Sequence, residues 1–371
     1  MPGFQGLFVD GLAAHCQEVV CFLHTPRDSE RGLMDYRIRS ANARLVPIGP
    51  HCSVPRRTLL ARRFSLPLRN RRQELDAVLL RGASPLLPAM AAAARPLPLV
   101  LLIVSRCTQG IDDLPQPWWR KNLIRLWAGV NERQQNKVAM RALTFVNSRQ
   151  YYNELKERLP QLRETRTTTL SAGDFFERED TCQQPPYHLL FAGRMDRGKG
   201  LLEIVEALAM LVGAGQDVVL DLVGWPEPGD PVLEEVQALA ARKGIADCVL
   251  YHGRKSIGPE LFACYKQADL FVVASKTAEG FPRTIWEAMA HSVPVVATTV
   301  GAIPHHVGGA AALVPPNDAT ALAKAIRALL ADPPRRQELI RRGRRLASNM
   351  TLEIQSRQMV AEIKSWIERS R

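Results

Sequence analysis

Short apolar runs rich in β-branched residues alternate with helical patterns along the whole chain, and this alternation limits the fold more than any other feature. Strand–helix–strand repetition builds parallel sheets covered by helices. In the first half the strand candidates are residues 18–23, 44–48, 77–80, 97–104 and 143–146, separated by helical stretches at 6–15, 85–94, 121–141 and 150–157. In the second half strands at 189–192, 218–223, 249–252, 270–274, 293–297 and 311–314 alternate with helices at 201–212, 231–242, 259–267 and 283–290. The chain has 371 residues, more than one ordinary domain of roughly 100–200, so two α/β domains are expected.

The polar segment 178–186, ending in Gln183-Gln184-Pro185-Pro186, reads as the linker between a first domain (1–177) and a second (178–350). From Asp318 onward the pattern is helical, broken at Pro333-Pro334 and near Met350-Thr351. The last stretch (351–371) carries an apolar stripe through Leu352, Met359, Val360, Ile363 and Ile367. It packs either on its own domain or back on the first. A doubly wound domain ordinarily opens with a buried strand, a glycine-rich turn and a helix. Here the chain opens in the turn (Pro2, Gly3, Gly6) and its helix. Either a first strand is lost through a late start site or the sheet has one strand fewer.

With 46% hydrophobic and 23% charged residues the composition is that of a globular protein. Lys+Arg 49 against Asp+Glu 37 gives a net charge of +12, which favours phosphate-bearing partners. Nucleic acid is disfavoured, because only 6% of residues are aromatic and no recognition-helix, zinc-finger or RNA-binding signature is present. The seven cysteines are scattered with no CxxC spacing, and the opening residues lack a secretory signal pattern, so a reducing cytoplasm is expected. The most apolar run, 97–104, is far shorter than the about 20 residues of a membrane-spanning helix.

Two motifs carry chemistry. The first is Phe191-Ala192-Gly193-Arg194-Met195-Asp196-Arg197-Gly198-Lys199-Gly200, a strand running through a glycine-rich turn into a helix. Glycines allow close backbone approach, the helix start offers N–H groups, Arg194 can fork onto phosphate oxygens and Lys199 adds a point charge. A solvated basic turn is the lesser alternative if the motif stands alone. The second is Glu279-Gly280-Phe281-Pro282-Arg283-Thr284-Ile285-Trp286-Glu287, following the strand at 270–274. Glu279 falls at the helix mouth and Glu287 about two turns in. Carboxylates there accept from sugar hydroxyls, and the Gly280–Pro282 amides face hydroxyls or phosphate.

In this order and spacing the two motifs resemble the nucleotide-sugar-binding domain of retaining glycosyltransferases of family GT4. The resemblance implies a GT-B fold: two Rossmann-like α/β/α domains facing across a cleft, with a C-terminal helix crossing back. It is dense from Leu189 to about Ala347 and thin in the first half, where Gly3 and Gly6 resemble the acceptor-side loop. It implies transfer of a sugar from a UDP- or GDP-linked donor to a glycan or lipid-linked acceptor, in bacterial lipopolysaccharide or surface polysaccharide synthesis. Arg194 and Lys199 would neutralise the leaving diphosphate, Glu287 would hold the ribose and Glu279 the donor sugar. With no Asp-x-Asp in the chain, no metal and no further cofactor are expected. Where family members carry His-Asp, this chain reads Ser105-Arg106-Cys107, with Arg106 the electrostatic replacement.

Between Arg56 and Arg72 seven arginines occur with no acid, interleaved with Leu59, Leu60, Phe64, Leu66 and Leu68. This is either a patch for an anionic membrane surface or an ordinary solvated helix. Two rival functions remain at this stage: an epimerase or hydrolase on the same scaffold, and a non-catalytic sugar- or lipid-binding subunit.

Overall fold

The computed structural model describes residues 1–104, 108, 111, 116–147, 149–226, 229–276 and 282–370. Arg106, Glu279, Gly280 and Phe281 lie outside the described residues. The chain divides into two compact units, Met1–Thr167 with Leu352–Arg371, and Thr168–Thr351.

The first unit runs α1 (Gly3–Ala13), β1 (Val19–Thr25), β2 (Ala43–Pro50), three short helices α2 (Val54–Leu59), α3 (Ala61–Phe64) and α4 (Leu66–Arg71), then β3 (Val78–Gly82), α5 (Leu87–Ala93), β4 (Leu99–Ile103), α6 (Trp118–Ala139), β5 (Leu143–Val146), α7 (Arg149–Leu155) and β6 (Leu162–Glu164). Its strands form two separate parallel sheets, β1-β2 and β3-β4-β5-β6. The basic stretch that the sequence offers as one surface helix is thus broken into α2, α3 and α4, because Pro55 and Pro67 each sit where only the first turn of a helix admits them.

The second unit runs β7 (Tyr187–Met195), α8 (Leu201–Gly213), β8 (Val218–Pro226), α9 (Val232–Arg242), β9 (Val249–Gly253), α10 (Pro259–Gln267), β10 (Leu270–Val273), α11 (Arg283–Ala290), β11 (Val295–Thr298), α12 (Ile303–Val307), β12 (Ala311–Val314), α13 (Ala319–Ala331) and α14 (Pro333–Ser348). Its sheet is parallel throughout, in the order β12-β11-β10-β7-β8-β9. Leu189, Phe191, Leu220, Leu222 and Val272 face one core with α8, α9 and α13; Leu190, Ala192, Val223, Phe271 and Val273 face the other with α10 and α11. Burial on both faces is why these strands read as unbroken apolar runs.

The final helix, α15 (Leu352–Ser370), belongs to the first unit. Met359 and Val360 pack with Leu12, Val100, Leu102, Leu143 and Phe145. Arg163 pairs with Glu362 at 3.0 Å, and the Arg166 N–H donates to Gln355 Oε1 at 3.1 Å.

Residues 178–186, read from sequence as a linker, lie inside the second unit. Their polar side chains are internal ligands. Arg178 donates to the carbonyls of Tyr265, Lys266, Ala268 and Ser292, and Asp180 takes a two-pronged pair from the buried Arg336 at 2.7 and 2.8 Å. Polarity alone does not separate a solvated linker from a strap whose charges are satisfied inside.

Candidate active site

The strand order of the second unit reverses between β7 and β10. In an open parallel sheet the crevice beyond the carboxyl ends of such a pair is where ligands bind. The loop after β7 passes through Asp196 and a single 3₁₀ turn, Arg197–Lys199, into α8. Asp196 does two things there. Its Oδ1 accepts from the Gly198 N–H at 2.9 Å, closing the turn, and its Oδ2 accepts from Arg194 Nε at 3.0 Å, fixing the half-exposed guanidinium.

Two glycines make this crevice possible. Gly224 lies opposite Gly193 across β7 and β8, and a Cβ on it would stand 1.8 Å from the Gly193 carbonyl oxygen. Gly200, at φ +70°, ends the turn against β10, and a Cβ there would stand 2.0 Å from the Ala274 carbonyl oxygen. The loops after β7 and β10 are tied directly: the Lys276 N–H donates to the Gly198 carbonyl at 2.8 Å, and Lys276 Nζ pairs with Glu203 Oε1 at 2.5 Å. Gly193, Arg194, Lys199 and Lys276 therefore share the mouth of the switch point. Pro282 stands immediately before α11, at the end of the stretch that follows β10.

Glu287 is placed differently from the sequence reading. It is the fifth residue of the eight in α11, little more than one turn in, and is 4% exposed. Its Oε1 accepts from Thr169 Oγ1 at 2.6 Å and its Oε2 from Tyr265 OH at 2.8 Å. Burial, then the neighbouring carboxylate, pushes the Tyr265 phenol well above its ordinary range, so it donates as a neutral hydroxyl. His291 stacks on Tyr265 with ring centroids 5.4 Å apart, and its Nδ1 donates to the Glu287 carbonyl at 2.7 Å. Burial holds the His291 imidazole below its ordinary pKa, which keeps it neutral beside the tyrosine.

In the first unit, the Gly3 N–H donates to Asp35 Oδ1 at 2.8 Å, and a Cβ on Gly6 would overlap the Tyr36 ring. Both glycines are thus explained by the way α1 seats on the segment at 35–36. Asp196, Lys276, Thr169 and Tyr265 escape the sequence reading. Asp196 carries a legible sign, an aspartate two residues before a glycine at a helix start; Thr169 and Tyr265 meet Glu287 only through tertiary packing.

Residues 175–346 match the sequence model of the glycosyl transferases group 1 family. The match covers most of the second unit, Thr168–Thr351. It is 32% identical over 155 residues to a D-inositol 3-phosphate glycosyltransferase of Arthrobacter sp. (strain FB24), covering 41% of this chain and 36% of that protein. It is 31% identical over 179 residues to the lipopolysaccharide core biosynthesis mannosyltransferase LpsB of Rhizobium meliloti, covering 47% and 50%. The chain thus spans between about a third and a half of these two curated relatives. Among solved structures, Anabaena Alr3699/HepE in complex with UDP-glucose superposes with a TM-score of 0.75 at 18% identity, over 98% of this chain and 96% of that one. The fold of this chain is therefore GT-B.

Proposed function

We propose that this chain is a retaining glycosyltransferase of the group 1 family that moves a sugar from a UDP- or GDP-linked donor to a glycan or lipid-linked acceptor, in building a bacterial lipopolysaccharide or surface polysaccharide. The observation that carries the reading is the Gly193–Gly200 turn at the β7/β10 switch point, with Arg194 and Lys199 on it and Lys276 alongside. Support for the donor comes from the UDP-glucose held by the HepE structure, and for the pathway from the name of LpsB.

In the proposed step the bond from the sugar's anomeric carbon to the diphosphate breaks while the acceptor oxygen bonds on the same face, and the acceptor's proton passes to the departing phosphate oxygen. Positive charge fixed near the diphosphate before the reaction stabilises what develops as the bond breaks. Arg194, oriented by Asp196, and Lys199 supply it, so no metal is required in this scheme. Glu287, held by Thr169 and Tyr265, has lone pairs remaining for a ribose hydroxyl. Glu279 and Arg106 keep the sugar-side roles that the family resemblance implies.

We assign the enzyme to the cytoplasmic side of an anionic membrane. Among the described residues no helix is long and apolar enough to cross a bilayer, so contact would be peripheral. Two surface features of the first unit support this. Arg56, Arg62, Arg63 and Arg69 are exposed beside Leu59 (83% exposed) and Leu66. On α6, Trp119, Leu123, Leu126 and Val130 form an exposed stripe at helical spacing, flanked by Arg120 and Arg133. Interfacial helices combine these residue types.

The test is nucleotide-dependent melting. A ligand that binds only the folded state raises apparent stability. UDP or GDP raises the Tm of the parent chain, and Arg194→Ala or Lys199→Ala removes most of that rise. An equal rise in all three proteins refutes the phosphate assignment.

A further inference from the structure

A second polar site is built in the first unit, at the carboxyl ends of β1 and β2. The two strands run in step from Val19 opposite Ala43 to Leu23 opposite Pro47, and then His24 lies opposite Gly49, so β2 takes one extra residue at Ile48. A bulge re-aims the side chain beside it, and the carboxyl end of an open parallel sheet is where ligands are held. The side chain re-aimed here is His24.

Its ring is clamped. Nδ1 donates to the Gly49 carbonyl at 3.2 Å, and the buried Phe64 of α3 meets the ring edge-on with centroids 4.8 Å apart. Phe64 is itself seated on Gly49, where φ is +130° and a Cβ would stand 2.7 Å from the Phe64 ring. A carbonyl only accepts, so the proton of the neutral imidazole is on Nδ1 and Nε2 carries a lone pair. Burial holds this imidazole below its ordinary pKa against the pull of the Gly49 and Pro50 carbonyls, and the Arg57 charge works in the same sense as burial.

Two buried groups are left without partners among the described residues. His24 Nε2 receives no donor, and the Nε–H of Arg57, on α2, reaches no acceptor. Each costs stability until it is satisfied. Beside them the His51 ring stands 5.7 Å from that of His24. Its Nδ1 donates to Glu30 Oε1 at 2.6 Å, and Glu30 is anchored by the Arg27 N–H at 2.9 Å. In the neutral ring His51 Nε2 is then a second lone pair. An anion has no proton to give these nitrogens, and a cation is repelled by Arg57. A hydroxyl donates to one group and accepts from the other.

We propose that His24, His51 and Arg57 form a carbohydrate subsite, in which neighbouring hydroxyls of one sugar ring donate to the two imidazoles and accept from the guanidinium. Naming that sugar as the acceptor of the transfer rests on the function proposed above; the binding itself does not.

The probes are the methyl glycosides of glucose, galactose and mannose, with the histidine ring nitrogens of the labelled protein followed by NMR. In the free chain His24 Nε2 should be the unprotonated nitrogen. At least one glycoside should shift it saturably, with His51 moving in parallel, and His24→Phe and Arg57→Met should each weaken that binding by about tenfold or more. If His24→Phe does not fold, Arg57→Met decides alone. Inorganic phosphate should leave both rings unmoved. A proton on Nε2 in the free chain, rings that no glycoside moves (a bound water only), a response to phosphate alone, or unchanged binding in the folded variants overturns the proposal. The UDP-dependent rise in Tm is read in the same samples. Its absence from a parent chain that still binds glycoside counts against the enzyme reading and leaves this subsite standing.

Discussion

Replacing Tyr265 by phenylalanine removes one oxygen from a deeply buried polar contact of the second unit. Tyr265 is fully buried and Glu287 is 4% exposed, with the phenol oxygen 2.8 Å from Oε2. A hydrogen bond to an ionised group contributes about 1.5–3 kcal/mol, and here the ring's packing on Phe271 and His291 survives the substitution. Oε1 keeps its donor, since Thr169 Oγ1 remains 2.6 Å away, so the loss is a single bond and not a stranded carboxylate. About 2 kcal/mol follows, which for a unit of 150–250 residues lowers Tm by about 4–8 °C. Thermal melting with exchange of α10 and α11 peptides reads this directly. Thr169→Val should cost a similar amount, and the double variant should cost more than the two together, because only then does the buried carboxylate lose both donors. A Tyr265→Phe variant within about 0.5 kcal/mol of the parent would show that this hydroxyl does not hold Glu287, and the positioning argument would fall.

Removing one partner of the buried Asp180–Arg336 pair leaves an uncompensated charge, so Asp180→Ala should destabilise the second unit by about 3–5 kcal/mol in denaturant titration. A loss below about 1 kcal/mol would return residues 178–186 to the status of a solvated linker. Because the folded-state pKa of His291 is depressed, the unfolded chain binds its proton more readily; the contribution is complete above the ordinary value of 6.5 and is lost as pH falls below it. Stability measured from pH 7 to 5 should therefore fall more steeply in the parent than in His291→Gln, and equal slopes would contradict the burial argument. Vesicles containing anionic lipid should sediment the protein at low salt, weakly after Arg62→Glu with Arg63→Glu, and less in Leu123→Ser with Leu126→Ser; binding indifferent to lipid charge and to salt would retire the membrane reading.

Much of the second unit is legible in sequence because its determinants are local. The runs at 189–192 and 270–274 are apolar on both faces, and the glycines at 193 and 200 mark where backbone must approach backbone. Arg194 and Lys199 are fixed in place by the turn that carries them, so reading the turn locates the charges. What escapes is the partnership of side chains far apart in the chain. Glu287 reads in sequence as a hydroxyl-binding acid about two turns into its helix, and nothing near it announces Thr169, 118 residues away, or the buried Tyr265. β6 escapes for a different reason: Leu162, Arg163 and Glu164 form no apolar run, and they are a strand only because β5 offers them an edge.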